Sequence, residues 1–94
     1  MSKQFILVVY DISDDKRRTR LHNTLKDFGA PVQYSVFECL QDEKGLKRLK
    51  KAVNKIIKPR LDRVRYYPIC NRCLEGVEVT SGPERLAEAE VMVI

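Results

Sequence analysis

The chain has 94 residues, of which 44% are hydrophobic and 33% are charged, a balance that indicates a single folded domain over residues 1–94 rather than a disordered chain. Lysine and arginine total 18 against 13 acidic residues, and the resulting net charge of +5 favours an anionic partner. No apolar run approaches the roughly 20 residues of a membrane span, and no cleavable signal pattern opens the sequence, so we expect a cytoplasmic protein without membrane contacts.

The first predicted element is a strand over residues 4–12. Its apolar residues are continuous rather than alternating, which is typical of a strand buried on both faces. The apolar run closes on one carboxylate, Asp11. Ser13 or Asp14 can then cap a helix. That helix begins with four cations within five residues, namely Lys16, Arg17, Arg18 and Arg20.

The middle of the chain predicts a strand region and a second basic helix. Residues 32–40 alternate imperfectly, so one long bent strand and a short hairpin both fit. Asp42 is expected to cap a helix over residues 44–58, which Pro59 ends. Residues 44–65 contain ten lysines and arginines and a single acid, Asp62. This charge suits either a solvated surface or a surface for phosphates.

The remaining segments predict more strands and define the fold class. Residues 64–69 form a strand whose Pro68 indicates a sheet edge or a strand terminus. Residues 75–79 are strand-like, and residues 91–94 could add a last strand. The order predicts an α+β protein, a ferredoxin-like βαββαβ sandwich with an extra C-terminal strand. We expect a homodimer in which the segment 75–94 pairs with the partner's sheet edge.

Asp11 has two interpretations. Aspartate is favoured as a helix cap or turn residue, and this is the more common role. A carboxylate fixed at a strand end can also bind Mg²⁺ or Mn²⁺, which would activate water for attack on a phosphodiester. One carboxylate is a sparse metal site, and a two-fold axis that joined two copies of Asp11 would remedy this.

Two further motifs give weaker evidence for a functional site. Cys70 and Cys73 have the spacing of a metal knuckle, but a structural zinc site requires four ligands, and only Cys39 and His22 remain as candidates. Free thiols or a facultative disulfide are therefore the alternatives. His22 is the only histidine, which gives little support to histidine-based ribonuclease chemistry.

The sequence resembles a known family over nearly its whole length. The segments that carry the resemblance are Val-Tyr-Asp-Ile at residues 9–12, Asp-Lys-Arg-Arg at 15–18, Val-Gln-Tyr-Ser-Val-Phe-Glu-Cys at 32–39 and Val-Arg-Tyr-Tyr-Pro at 64–68. They are similar to the small CRISPR-associated endoribonuclease/adaptor family, the non-catalytic partner of the spacer-acquisition integrase. The first and third of these segments, at this separation in so short a chain, are specific only in combination.

The resemblance implies a fold, an activity and partners. The fold is ferredoxin-like, with C-terminal strands that cross between the two protomers of a homodimer. Asp11 of each protomer would bind one shared divalent metal, Mg²⁺ or Mn²⁺, as the catalytic group, with Tyr10 and Phe37 nearby. The basic segment of Lys16, Arg17, Arg18 and Arg20 would contact nucleic acid phosphates.

Two roles follow from the resemblance, and one alternative lies outside it. The first role is a metal-dependent endonuclease that acts on RNA or DNA. The second is a DNA-binding adaptor that bridges dimers of the CRISPR integrase. The alternative is a toxin-type ribonuclease or a small RNA-binding ferredoxin-like domain, since the same fold and charge would serve either one.

Overall fold

The structure is a computed structural model that describes residues 3–87, and these residues contain four strands and three helices. The strands are β1 (Gln4–Asp11), β2 (Gly29–Gln33), β3 (Val36–Gln41) and β4 (Arg63–Ile69), and the helices are α1 (Asp15–Leu25), α2 (Glu43–Asn54) and α3 (Asn71–Leu74). The strands form one sheet in the order β2-β3-β1-β4, with every neighbouring pair antiparallel. This arrangement confirms the ferredoxin-like sandwich predicted from the sequence.

The core lies between the sheet and the two long helices. Alternate residues of β1 point into it, because successive side chains of a strand face opposite sides of a sheet. The buried residues that pack together come from β1, α1, β3 and α2, and they include Ile6, Val8, Tyr10, Leu21, Leu25, Phe37, Cys39, Leu49 and Val53. The helices therefore cover one face of the sheet. The opposite face, which we call the open face, has no helix of comparable length packed against it within residues 3–87.

Both long helices begin at the predicted caps. The Asp14 carboxylate accepts a hydrogen bond from the Arg17 amide at 2.9 Å, and Asp42 accepts one from the Gly45 amide at 2.7 Å. These contacts satisfy amides that have no partner within the helix. Only residues 12–14 separate Asp11 at the end of β1 from the start of α1, so the end of β1 and the basic first turn are close in the chain.

The second helix is shorter than the prediction of residues 44–58, since α2 ends at Asn54. The reason is a turn over residues 58–62, which uses backbone groups that a longer α2 would need. The amide of Asp62 donates to the carbonyl of Lys58 at 2.8 Å, and the Asp62 carboxylate accepts from the Lys58 amide at 2.8 Å. In a helix that continued through residue 58, the Lys58 amide would donate to the Asn54 carbonyl instead of the Asp62 carboxylate. The turn over residues 58–62 therefore forms in place of a further turn of α2.

The ambiguous region 32–40 is a hairpin rather than one bent strand. β2 and β3 pair with an irregularity between Pro31 and Gln33, and the chain reverses at Ser35, whose φ is 65°. Close strand contact explains Gly29 at the start of β2, because a Cβ there would lie 2.6 Å from the Cys39 sulfur. The hairpin makes β2 one edge of the sheet, and β4 makes the other.

The predicted C-terminal strand, residues 75–94, is not part of the sheet of this chain within the described residues. Residues 75–79 form no strand in this chain: a turn covers Glu75 and Gly76, and residues 77–87 contain no regular element. A strand requires a neighbour for its backbone groups, and residues 75–79 pair with none of the four strands. The predicted strand at 91–94 lies outside the described residues. Pairing of the tail with a second copy stays a prediction, and α3 was not predicted.

Candidate functional site

Asp11 is the last residue of β1, and its side chain is exposed on the open face. The neighbouring odd-numbered residues of β1, Leu7 and Val9, are half-buried, whereas the even-numbered Val8 and Tyr10 belong to the core. Strand alternation therefore directs Asp11 away from the helices. Within residues 3–87 the Asp11 carboxylate has no hydrogen bond or ion pair, which distinguishes it from a helix cap. The cap is Asp14 instead.

A row of cationic and aromatic side chains lies beside Asp11 on the open face. Register places Arg63 opposite Asp11, Arg65 opposite Val9 and Tyr67 opposite Leu7. All three β4 side chains are exposed, and Arg65 donates to the Tyr67 hydroxyl at 3.1 Å. This hydrogen bond raises the pKa of Arg65 and keeps its guanidinium charged. An anion that approached Asp11 would therefore meet two arginines at the same end of the sheet.

The centre of the open face is largely apolar. Val36 and Leu40 of β3 are half-buried and share this face with Leu7 and Val9. Glu38 lies among them, and its carboxylate accepts a hydrogen bond from the Leu86 amide at 3.1 Å. The C-terminal segment thus reaches the open face. A half-covered apolar surface on a small domain is typical of a surface that contacts another protein.

The donor set around Asp11 suits a hard cation only if a second copy contributes. Residues 3–87 contain no cluster of three or more histidine, cysteine or acidic side chains that could bind a metal ion. Asp14 caps α1, and Asp15 pairs with Arg18, so neither adds an uncommitted carboxylate. Mg²⁺ binds one or two carboxylates and completes its octahedron with water. Two copies of Asp11 would therefore fit the ion, and one copy leaves the site sparse.

Tyr10 and Phe37, which were expected near Asp11, lie on the other face of the sheet. Both are buried, with ring centroids 6.4 Å apart. His22 packs edge-on against Phe37, and its Nδ1 lies 3.3 Å from the Tyr10 hydroxyl. Burial raises the pKa of Tyr10 and keeps it a neutral phenol. The structure thus brings Tyr10, His22 and Phe37 together on the helical side of the sheet, behind the end of β1.

Arg17 has an intramolecular partner. Its Nε and Nη2 donate to the two carboxylate oxygens of Asp62 at 2.8 and 3.0 Å. Asp62 is buried, and the hydrogen bonds from Arg17 hold the pKa of this carboxyl below its ordinary value. A buried carboxylate requires such a partner. Arg17 thereby joins α1 to the turn before β4, and its predicted contact with phosphate stays a prediction.

The other predicted cations divide into two kinds. Arg18 donates to the carbonyl of Ile12 at 2.9 Å and pairs with Asp15, so it braces the loop that follows Asp11. Lys16 and Arg20 are exposed and have no ion pair within residues 3–87. They are the members of the set that are open to an external anion.

Sequence reasoning missed the buried position of Asp62 and the alignment of Arg63 with Asp11. A signal for Asp62 was present, since it is the only acid among ten cations in residues 44–65. An isolated carboxylate in such a stretch indicates a specific partner. The alignment of Arg63 depends on strand register, which no local pattern in the sequence specifies.

A further basic surface lies between the helices. An open groove of about 450 Å³ separates α1 from α2, and four cations line it: Arg20, Arg48, Lys51 and Lys55. All four are exposed. Arg20 therefore connects the start of α1 to the basic surface of α2.

None of the helices in residues 3–87 is long and apolar enough to cross a lipid bilayer.

Comparisons with known proteins agree on one family. The sequence profile of the family described as CRISPR associated protein Cas2 matches residues 4–77. A curated relative named CRISPR-associated endonuclease Cas2 2, from Thermus thermophilus, is 40% identical over 92 residues, which cover 98% of this chain and all of the relative. Its name assigns it an endonuclease activity.

Solved structures give the same result. The crystal structure of a hypothetical protein, TT1823 from Thermus thermophilus, superposes with a TM-score of 0.79 at 40% identity and covers 89% of this chain and 99% of that one. A chain from a structure described as a partial Cas6-RT-Cas1–Cas2 complex has a TM-score of 0.71, with 90% of this chain and 99% of that chain covered. At 22% identity it shows a shared fold alone. With the profile matched over most of its length, this chain belongs to the CRISPR-associated Cas2 family.

Proposed function

We propose that two copies of this chain join through their open faces and that the paired Asp11 carboxylates bind one divalent cation, Mg²⁺ or Mn²⁺, for phosphodiester hydrolysis of RNA or DNA. The observation that carries the proposal is the position of Asp11. It is an exposed carboxylate at a strand end, without an intramolecular partner in residues 3–87, beside Arg63 on the same face. The endonuclease name of the Thermus thermophilus relative supports the same activity.

The half-buried apolar side chains of the open face support dimer formation there. Leu7, Val9, Val36 and Leu40 lie on the side of the sheet away from the long helices. Burial of apolar area stabilises an association by roughly 25 cal/mol per Å² before its entropic cost. A two-fold axis near the end of β1 would bring the two Asp11 side chains toward one cation.

The side chains at the site have separate tasks in the proposed reaction. Asp11 holds the cation, and Arg63 and Arg65 bind the phosphate and stabilise the negative charge that grows in the transition state. A bound divalent cation would lower the pKa of a water molecule and polarise a phosphoryl oxygen. The Arg18 contact with the Ile12 carbonyl and the packing of Tyr10 against Phe37 keep the end of β1 in place.

Cleavage assays with Asp11→Asn test the nuclease proposal. Wild type should cleave end-labelled RNA or duplex DNA with Mg²⁺ and should be inactive with EDTA. The variant should lose at least about 100-fold in rate, because the amide replaces the carboxylate that would bind the cation. Each tenfold loss corresponds to about 1.4 kcal/mol of transition-state stabilisation. Asp27→Asn is the matched control, because Asp27 is an exposed carboxylate beyond the end of α1. Equal cleavage by wild type and Asp11→Asn would overturn the proposal.

The adaptor role is the second candidate, and the unpaired cations of the helical side favour it. Lys16 and Arg20 lead into the groove that Arg48, Lys51 and Lys55 line. Such a surface binds the phosphate backbone without reading the base sequence. It lies on the side of the sheet opposite the proposed dimer contact, so DNA and a second copy could bind together. The CRISPR integrase would be the protein partner, and the shared fold with a chain of the partial Cas6-RT-Cas1–Cas2 complex supports this.

The family assignment also decides against the alternative interpretation. The profile of the CRISPR-associated family covers residues 4–77, and curated relatives match most of the chain. A toxin-type ribonuclease or a general RNA-binding domain is therefore not needed to explain the fold and charge.

A further inference from the structure

Cys70 and Cys73 lie at a junction in the fold. Cys70 directly follows β4 and precedes the short helix α3, whose third residue is Cys73. Both cysteines are free and exposed. Residues three apart on a helical turn have neighbouring side chains. Cys70 and Cys73 are therefore neighbours on one turn, with the Cys-X-X-Cys spacing at which a disulfide can close.

We propose that Cys70 and Cys73 form a reversible dithiol/disulfide site that reacts with small organic disulfides, with Cys70 as the attacking thiol. This inference does not depend on the proposed nuclease or adaptor function. Neither Asp11 nor the basic surface takes part in it.

The surroundings of Cys70 favour attack by its sulfur. The backbone amide and the thiol of Cys73 stabilise the Cys70 thiolate and lower its pKa, whereas the nearby Cys70 sulfur raises the pKa of Cys73. A thiolate is the reactive form in disulfide exchange. Cys70 also lines an open groove of about 570 Å³ with Phe5, Leu46 and Ile69. A small disulfide can therefore reach Cys70 from solvent along a partly apolar surface.

The third cysteine, Cys39, cannot take part in this disulfide exchange. Cys39 is fully buried in the core, and burial raises its pKa to about 11. A neutral, inaccessible thiol does not exchange. The chain thus has one reactive pair and one inert cysteine, which makes the pair's chemistry directly measurable.

The reaction proceeds in two balanced exchanges. The Cys70 thiolate attacks one sulfur of the organic disulfide, whose S–S bond breaks, and the released thiolate takes a proton from solvent. Cys73 then loses its proton and attacks the Cys70 sulfur, which expels the second organic thiolate and closes the Cys70–Cys73 bond. The protein loses two electrons and two protons, and the organic disulfide becomes two thiols.

Closure of the bond would act on the C-terminal segment. α3 connects β4 to residues 75–87, and the Leu86 amide in that segment binds Glu38 on the open face. A disulfide across α3 would fix the turn from which this segment leaves the sheet. Reduction would remove this covalent constraint, and the Leu86–Glu38 contact is present with both thiols free.

Intact-mass measurement after treatment with bis(2-hydroxyethyl) disulfide tests the proposal on four proteins: wild type, Cys70→Ser, Cys73→Ser and the double variant. Wild type should lose two hydrogens and retain no adduct. Cys73→Ser should hold one mixed disulfide, and Cys70→Ser should react several-fold more slowly. The double variant is the control for Cys39 and should stay unmodified.

Two results would overturn the proposal. One is stable mixed disulfides on both cysteines of wild type, and the other is a disulfide that joins two chains. Equal reaction rates for the two single variants would contradict the assignment of Cys70 as the attacking thiol. Circular dichroism of each variant checks its fold. The spectra should match that of wild type, because both cysteines are on the surface.

Discussion

At the scale of single residues, similar side chains in one short segment have different roles. Arg17 and Arg20 are three positions apart on α1, yet Arg17 is bonded to a buried carboxylate and Arg20 faces solvent. The sequence predicted both as phosphate contacts. Local charge could not separate them, since the difference comes from Asp62, 45 residues further along the chain.

The Arg17–Asp62 pair predicts a pH dependence of stability. Because the pKa of Asp62 is lowered in the folded protein, its contribution is complete above the ordinary carboxyl value of about 3.9. It is lost as the pH falls through the lower folded value. Asp62→Asn should therefore reduce the free energy of unfolding at pH 7, and the difference from wild type should shrink below about pH 4.

Urea unfolding at pH 7 and at pH 3 measures this effect. Asp27→Asn, the same change at an exposed carboxylate, is the control and should stay within about 0.5 kcal/mol of wild type. A difference between wild type and Asp62→Asn that grows toward pH 3 would contradict the role assigned to Asp62.

At the scale of elements, the sequence predicted the pieces whose signals are local. The caps Asp14 and Asp42 and the apolar run of β1 are confirmed. The end of α2 was wrong because the competing turn depends on Asp62, and α3 was missed because four residues carry too weak a pattern. Residues 75–79 have a strand-like composition but no strand beside them in this chain.

The start of α1 yields a prediction about nucleic acid binding. Lys16→Ala with Arg20→Ala removes two exposed cations that have no ion pair in residues 3–87. Affinity for duplex DNA should fall, and the slope of log affinity against log salt should decrease by up to about 2, since each phosphate contact contributes about 0.9. Filter binding or fluorescence anisotropy over a salt series measures both quantities.

The matched control removes the same charge elsewhere. Lys44 and Lys47 lie at the start of α2, near the end of the sheet where Gln41 pairs with Gln4, away from Asp11. Lys44→Ala with Lys47→Ala should alter the slope less than the α1 pair. Equal losses from both double variants would indicate a diffuse charge effect instead of a located surface.

At the scale of the whole molecule, the burial of β1 supports the proposed dimer. Its continuous apolar pattern predicts burial on both faces, yet the long helices cover one face and leave Leu7 and Val9 half-buried on the other. The sequence thus predicted full burial of β1 on both faces, and residues 3–87 of a single chain bury the open face only in part. It could not specify which surface would cover the open face in the proposed dimer, because that depends on the shape of the assembled sheet.

Asp11 lies on the same open face, so a second copy that packed there would also contribute to the proposed metal site. One carboxylate per chain makes a sparse magnesium site within residues 3–87, and another copy of the same residue would supply a second ligand. The chain belongs to the Cas2 family, and its nuclease activity, its metal and its dimer are proposals that the position of Asp11 supports.

The proposed shared metal site at Asp11 can be tested by Mn²⁺ binding to the purified protein, with the free ion measured by electron paramagnetic resonance. The account predicts one bound ion for every two chains in wild type and in Asp27→Asn, and no binding in Asp11→Asn. One ion per chain in wild type, or undiminished binding by Asp11→Asn, would contradict it.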